Sequence, residues 1–298
     1  MEETLFNRMK GGLFGVAVGD ALGGTTEFMS AWEIKQKHGY LDQIVGGGVW
    51  RLEPGEVTDD TMMTLCVAEG ILEEPDQPYK PIGDYFMKWF QSNPKDIGNI
   101  IRAVFHRYEG DWFEAALVVH EDFHGRSAGN GSLMRCLPVA LIYPRLAEME
   151  RITHMQSKMT HYDDRCNEAC RIYNRIAYRL LNGEELRAAS RTEIQGSEYE
   201  DIEAAGPACE TSGYVVDTFR WVLHALLTTG SFAEAVELAA NEGGDSDTIG
   251  AIAGGLAGIY YGYDGIPGKY ADKLLMKYRL AMLAERMMTL RTALAARV

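Results

Sequence analysis

The sequence predicts an all-α protein, and three observations carry the prediction. Apolar residues recur at helical spacing from one end of the chain to the other, whereas strand-like alternation surfaces only briefly, around Gln43 to Leu52. No linker rich in Pro, Gly or Ser divides the 298 residues and no solenoid-length repeat recurs, so residues 1–298 are expected to form a single domain. With 46% hydrophobic and 24% charged residues, the chain has the apolar content to bury a large core.

Taken in order, helices are expected near 3–22, 30–38, 60–73, 79–91, 96–108, 111–122, 133–145, 147–158, 164–181, 214–228, 232–241, 248–262 and 270–296. The first carries glycine at every fourth position, Gly11, Gly15, Gly19 and Gly23, which makes one bare stripe. The third opens on Thr58-Asp59-Asp60, residues that cap helices, and buries Met63, Val67, Gly70 and Ile71. Asn182-Gly183 stops the helix that holds Cys166 and Cys170 one turn apart, and Ser231 caps the one starting near Phe232. The helix from 248 repeats the stripe with Gly250, Gly254, Gly258 and Gly262. Each glycine costs a helix interior about 1 kcal/mol relative to alanine, so eight of them need an offsetting close approach of backbones. The two stripes are therefore expected to pack together in the core and to bring the loops at their ends to one cleft. Residues 182–212, polar and acidic, are expected to be a solvated surface loop, with part of a binding rim as the other reading.

Charge and cysteine usage narrow the function. A net charge of -14 with no basic patch argues against nucleic acid and anionic membranes as partners. The longest uncharged apolar run, Ile249 to Tyr263, is too short to cross a bilayer, so no integral membrane segment is expected. The N-terminal residues lack the pattern of a secretory leader, and five cysteines fit reduced thiols, so the expected location is cytoplasmic. His161 with Cys166 and Cys170 lacks the spacing of a zinc site.

Thr58-Asp59-Asp60 and Asp245-Ser246-Asp247-Thr248 each stand at a helix start and form oxygen-only donor sets. Such sets suit hard divalent ions, Mg²⁺ or Mn²⁺. Were the two clusters to meet, each close pair of carboxylates would cost roughly 4 kcal/mol at an effective dielectric near 20, against about 0.3–1 kcal/mol per charge from a helix dipole. Four negative charges match two divalent cations.

Five motifs occur in order: Gly15-Val16-Ala17-Val18-Gly19-Asp20-Ala21-Leu22-Gly23-Gly24-Thr25-Thr26-Glu27, Thr58-Asp59-Asp60-Thr61, Gly129-Asn130-Gly131-Ser132-Leu133-Met134-Arg135, Thr160-His161 and Gly244-Asp245-Ser246-Asp247-Thr248. Together they resemble the ADP-ribosylglycohydrolases. Glu27-Phe28-Met29-Ser30, Gly46 to Leu52, Pro94-Lys95-Asp96-Ile97-Gly98-Asn99 and Tyr214 to Thr218 are similar to its dinitrogenase reductase-activating glycohydrolase branch. The resemblance implies an all-helical fold with a two-metal cleft that removes ADP-ribose from a modified arginine of a protein. It implies metal ligation by Thr58, Asp59, Asp60, Asp245, Asp247 and Thr248. It places Glu27 and Asp96 near the reacting ribose as candidate proton shuttles, and Asn99, Asn130, Gly131, Ser132, His161 and Tyr214 along the ADP-ribose pocket. Asp96 is favoured as the acid, reaching the cleft from a different side than Glu27, while Asp20 is expected to cap or brace a helix. Two other readings stay open: hydrolysis of another conjugate such as O-linked serine, and a non-catalytic relative that binds ADP-ribose or serves structurally. Dinitrogenase reductase is the implied target only in a nitrogen-fixing organism.

Overall fold

The computed structural model describes residues 2–297. Among the described residues the chain forms sixteen α-helices: α1 (Glu2–Gly23), α2 (Ala31–His38), α3 (Asp59–Glu73), α4 (Tyr79–Gln91), α5 (Asn99–Arg107), α6 (Trp112–Asp122), α7 (Leu137–Ile142), α8 (Leu146–Lys158), α9 (Asp164–Leu181), α10 (Leu186–Ile194), α11 (Ile202–Ala205), α12 (Val215–Thr228), α13 (Phe232–Glu242), α14 (Ser246–Tyr261), α15 (Gly268–Ala271) and α16 (Lys277–Ala295). Extended pairing among them is limited to the isolated bridges Ser30–Gly243, Gly47–Leu52 and Gly129–Tyr214.

The two glycine stripes meet. A Cβ on Gly11 would strike the carbonyl oxygen of Gly258, one on Gly15 that of Gly254, and one on Gly19 that of Gly250. The pairing descends one chain as it ascends the other, so α1 and α14 cross antiparallel with their backbones in contact. Every α1 residue from Gly11 to Gly23 is buried, as is every α14 residue from Ser246 to Ile259. A helix apolar on all sides belongs at the centre of a bundle, and α3, α7, α9, α12, α13 and α16 pack around this pair. The crossing continues to Gly23 against Ser246, which sets the C-terminal end of α1 beside the N-terminal end of α14.

Several boundaries differ from the sequence expectation. The helix expected over 133–145 is only Leu137–Ile142, because Asn130 to Arg135 form tight turns in which Leu133 and Met134 both donate to the Asn130 carbonyl. Pro138 starts it, and Tyr143, extended as a residue before proline prefers, ends it. The final segment breaks into α15 and α16 around Asp272 to Met276. Residues 182–212 are not a loop throughout: α10 buries Leu186, Ala189 and Ile194, and α11 buries Ile202. Glycines 46–48, all at positive φ, turn the 43–52 stretch back on itself instead of extending it as a strand. No helix among the described residues is long and apolar enough to cross a membrane.

Candidate active site

The end of the α1–α14 crossing organises the site. Asp20, fully buried in the last turn of α1, accepts hydrogen bonds from the Thr58 backbone N–H at 2.9 Å and the Thr61 backbone N–H at 3.0 Å. It also accepts from the Thr58 and Thr61 hydroxyls at 3.0 and 2.5 Å. A carboxylate from another helix thus caps α3, while Thr58 at the cap position makes no capping bond of its own. Asp59 and Asp60 then lie in the first turn of α3, and the Asp59 carboxylate accepts from the Gly98 N–H at 3.2 Å, which ties down the loop carrying Asp96.

The second cluster arrives through two left-handed glycines, Gly243 (φ 74°) and Gly244 (φ 65°), where a Cβ would strike Met29 and Thr211 respectively. Phe28 donates to the Gly244 carbonyl at 2.7 Å and Gly244 to that of Met29 at 2.9 Å, so the turn at Glu27 and Phe28 is fastened to the turn before Asp245. Glu27, Asp245 and Asp247 consequently hold carboxylate oxygens within 4.8 Å of one another, an arrangement able to hold a metal ion. The Trp50 indole N–H donates to Glu27.

The two clusters do meet. Thr58 Oγ1 lies 3.1 Å from Asp60, 3.5 Å from Asp247 and 3.0 Å from Asp20, and Thr248 Oγ1 lies 3.5 Å from Asp60. One threonine proton serves only one of three neighbouring carboxylates. Asp60 is fully buried, and its second oxygen, Oδ1, has no hydrogen-bond partner. An orphaned buried carboxylate oxygen among hard oxygen donors is a place a divalent cation fits. Burial, followed by the neighbouring charges, pushes Asp59, Asp60 and Asp247 well above the usual carboxylate range. Burial and then the charge of Asp96 push Glu27 up to about 8, and burial with Asp20 and Asp245 pushes Asp96 up to about 7. Burial also raises Asp20 to about 6 and Asp245 above its usual value.

A cleft of about 490 Å³ opens over these groups. Of the residues singled out from the sequence, Glu27, Asp59, Asp96, Asn99, Asn130, Gly131, His161, Asp245, Asp247 and Thr248 line it. Thr58 faces an adjoining cleft of about 380 Å³ that it shares with Asp59 and Asp96, and Asp60 lies beneath the floor. Asp96 does not open a helix: it stands in the loop before α5, whose first residue is Asn99. Nor is Glu27 independent of Asp96, whose charge helps raise it. Asn130 donates to Asp245 at 2.5 Å and to Thr218 at 2.9 Å, so its side chain braces the acidic cluster, and its backbone N–H is bonded to the Gly213 carbonyl at 3.1 Å. Ser132 departs from the expectation: its side chain turns into the core, 2.9 Å from Ser157 Oγ, because the turn after Gly131 reverses the chain. Tyr214, 36% exposed, flanks a side groove continuous with the cleft through Ile100, Gly129 and Gly213, and accepts from Arg165 at 3.0 Å.

Trp50 lies in the Gly46 to Leu52 stretch, but nothing in its spacing tells that it meets Glu27. Two further residues were not singled out: Thr211, near the end of the segment read as a loop or binding rim, and Gly213, just beyond it; the Thr211 carbonyl accepts from the Asp245 N–H at 2.9 Å. All five cysteines are free.

Residues 1–296 match the ADP-ribosylglycohydrolase family model. The chain is 37% identical over 281 residues to the ADP-ribosyl-[dinitrogen reductase] glycohydrolase of Rhodospirillum rubrum, covering 92% of each protein. It is 31% identical to the ADP-ribosylarginine hydrolase Tri1 of Serratia proteamaculans, covering 96% of this chain and 80% of that one. Among solved structures, an ADP-ribosylglycohydrolase-related protein complex superposes with a TM-score of 0.84 at 29% identity, over 97% of this chain and 99% of that one.

Proposed function

Because the chain belongs to the ADP-ribosylglycohydrolase family, we propose that this ADP-ribosylhydrolase is divalent-cation-dependent and removes ADP-ribose from ADP-ribosylated arginine of a protein. The observation that carries the reading is the set of carboxylates around one cleft, with Asp60 Oδ1 buried and unpaired. Thr58, Asp59, Asp60, Asp245, Asp247 and Thr248 would hold two cations, Mg²⁺ or Mn²⁺, supplying positive charge against which ribose hydroxyls and the attacking water orient. In this reading residues 1–298 work as one domain, since the ligands come from the starts of α3 and α14 and are aligned by α1.

Hydrolysis breaks the bond between the anomeric carbon and a guanidinium nitrogen, adds water to the carbon and delivers a proton to the nitrogen. Asp96, raised to about 7, retains a proton near neutrality and donates it to the leaving nitrogen. Glu27, held by Trp50, would be drawn to its ionised form by cations bound beside Asp245 and Asp247, and in that form it orients the incoming water and accepts its proton as the carbon is attacked. The half-buried position of Asp96 at the junction of the two clefts gives the leaving arginine side chain an exit past it. A cytoplasmic protein target belongs to the same proposal, and dinitrogenase reductase is a candidate on the strength of the Rhodospirillum relative. The test is parallel incubation with arginine-, serine- and glutamate-linked ADP-ribosyl peptides, with Mn²⁺ and with chelator. Release from arginine alone and only with metal supports the reading; release from serine alone replaces it.

A further inference from the structure

Behind the cleft lies a charged side chain that the reaction as described does not use. Arg135 has no exposed surface, and its guanidinium is held through Nε and Nη2, while Nη1 has no hydrogen-bond partner. Nε donates to Gln156 Oε1 at 3.2 Å, and Nη2 donates to the Gln156 carbonyl at 2.9 Å and to Thr160 Oγ1 at 2.7 Å. Gln156 is itself oriented, because its amide Nε2 donates to the Ser132 carbonyl at 3.2 Å. Thr160 Oγ1 lies 2.8 Å from His161 Nδ1. His161 in turn lies under the Gly129–Gly131 turn: a Cβ on Gly129 would sit 3.3 Å from its Nε2, and one on Gly131 would sit 3.0 Å from its Cε1.

Donor arithmetic fixes the protons. A guanidinium has no acceptor, so Thr160 Oγ1 must accept from Arg135. The hydroxyl oxygen has a second lone pair, but among the described residues His161 Nδ1 is its one remaining partner, so the threonine proton finds an acceptor only when Nδ1 is unprotonated and the ring carries its hydrogen on Nε2. We infer that Arg135 and Thr160 are positioning residues that lock His161 as a neutral Nε2–H donor aimed into the cleft, where it bonds an acceptor oxygen of ADP-ribose. Burial and the nearby Arg135 charge lower His161 to about 3, so the ring stays neutral through the working pH range. Among the described residues Nε2 has no protein partner, and His161 lines the cleft, which leaves this donor to the ligand.

The ligand half of this inference rests on the ADP-ribose reading; the proton assignment does not, and the experiment separates them. Side-chain ¹⁵N NMR of histidine-labelled protein, with His161 assigned by its loss in His161→Gln, reads the tautomer directly. The expected wild-type spectrum is the Nε2–H form. Thr160→Val should release the lock and give a tautomer mixture, and Thr160→Ser should restore Nε2–H. Titration with free ADP-ribose in the presence of Mn²⁺ should show Thr160→Val binding about tenfold more weakly, with Thr160→Ser near wild type. An Nδ1–H wild-type ring overturns the relay whatever the protein binds. An Nε2–H ring with equal ADP-ribose affinity in wild type and Thr160→Val overturns the contact to the ligand. A wild-type protein that shows the Nε2–H ring but binds no ADP-ribose overturns the proposed function and the ligand contact, while the relay stands.

Discussion

Removing divalent cations should make stability fall as pH rises, and the structure sets the size of the effect. Unfolded, Glu27 and Asp96 titrate near their ordinary values of 4.5 and 3.8; folded, they are pushed to about 8 and about 7. Between these limits the folded protein binds more protons than the unfolded chain, so the stability present at pH 5 is lost on the way to pH 8. Each shift is about three units, and each unit is about 1.4 kcal/mol. Because Asp96 is part of what raises Glu27, the two act as one linked pair worth on the order of 4 kcal/mol. At about 2.1 cal/mol/K per residue of unfolding entropy, this chain would lose roughly 6 °C in Tm. Mn²⁺ at a hundredfold excess over Kd should return about 2.7 kcal/mol, roughly 4 °C. Differential scanning fluorimetry at pH 5.5 and pH 8, in EDTA and in Mn²⁺, measures all four values, and Glu27→Gln should flatten the EDTA slope. Equal Tm at both pH values in EDTA, with no response to Mn²⁺, would refute the argument that buried carboxylate charge awaits a cation.

Three further outcomes follow from the geometry. Gly254→Ala should destabilise by about 1–3 kcal/mol in urea denaturation, because its Cβ meets the Gly15 carbonyl; a gain of about 1 kcal/mol, the bare helix-propensity change, would mean the helices are not in backbone contact. Asp60→Asn and Asp247→Asn should weaken Mn²⁺ and ADP-ribose binding along with turnover. Asp96→Asn should instead keep both affinities and lower kcat by about 10²–10⁴, checked by calorimetry beside kinetics. Trp50→Phe, which removes only the indole donor to Glu27, should lower kcat several-fold with Mn²⁺ affinity unchanged; unaltered kinetics would detach Trp50 from the reaction.

What the sequence disclosed and what it hid divide along physical lines. The glycine stripes were legible because glycines repeated every fourth residue in two helices make no sense without a close neighbour, and spacing fixes which face is bare, although the last of them, Gly262, ends α14 as its C-cap rather than lying within it. The two acidic helix starts were legible because capping alone does not call for Asp-Asp and Asp-Ser-Asp at both. A bracing or capping role for Asp20 was legible, but the partners of distant contacts left no local trace: that Asp20 caps α3 across 38 positions, or that Trp50 reaches Glu27 across 23. The α10 and α11 helices hid in an acidic stretch because their buried residues are few and tertiary contacts, not propensity, hold them. Ser132 misled because a motif is read along the chain, while a turn of adjacent residues sends neighbouring side chains to opposite sides.

The most direct test of the central claim is the single-turnover rate of ADP-ribose release from an ADP-ribosyl-arginine peptide, measured with Mn²⁺ in excess and again in EDTA for wild type and Asp247→Asn. Rapid release by wild type with Mn²⁺, with at least a hundredfold loss both in EDTA and in the variant, is the predicted result. Undiminished release in EDTA, or an Asp247→Asn protein that turns over like wild type, would contradict a reaction organised by cations on this carboxylate cluster.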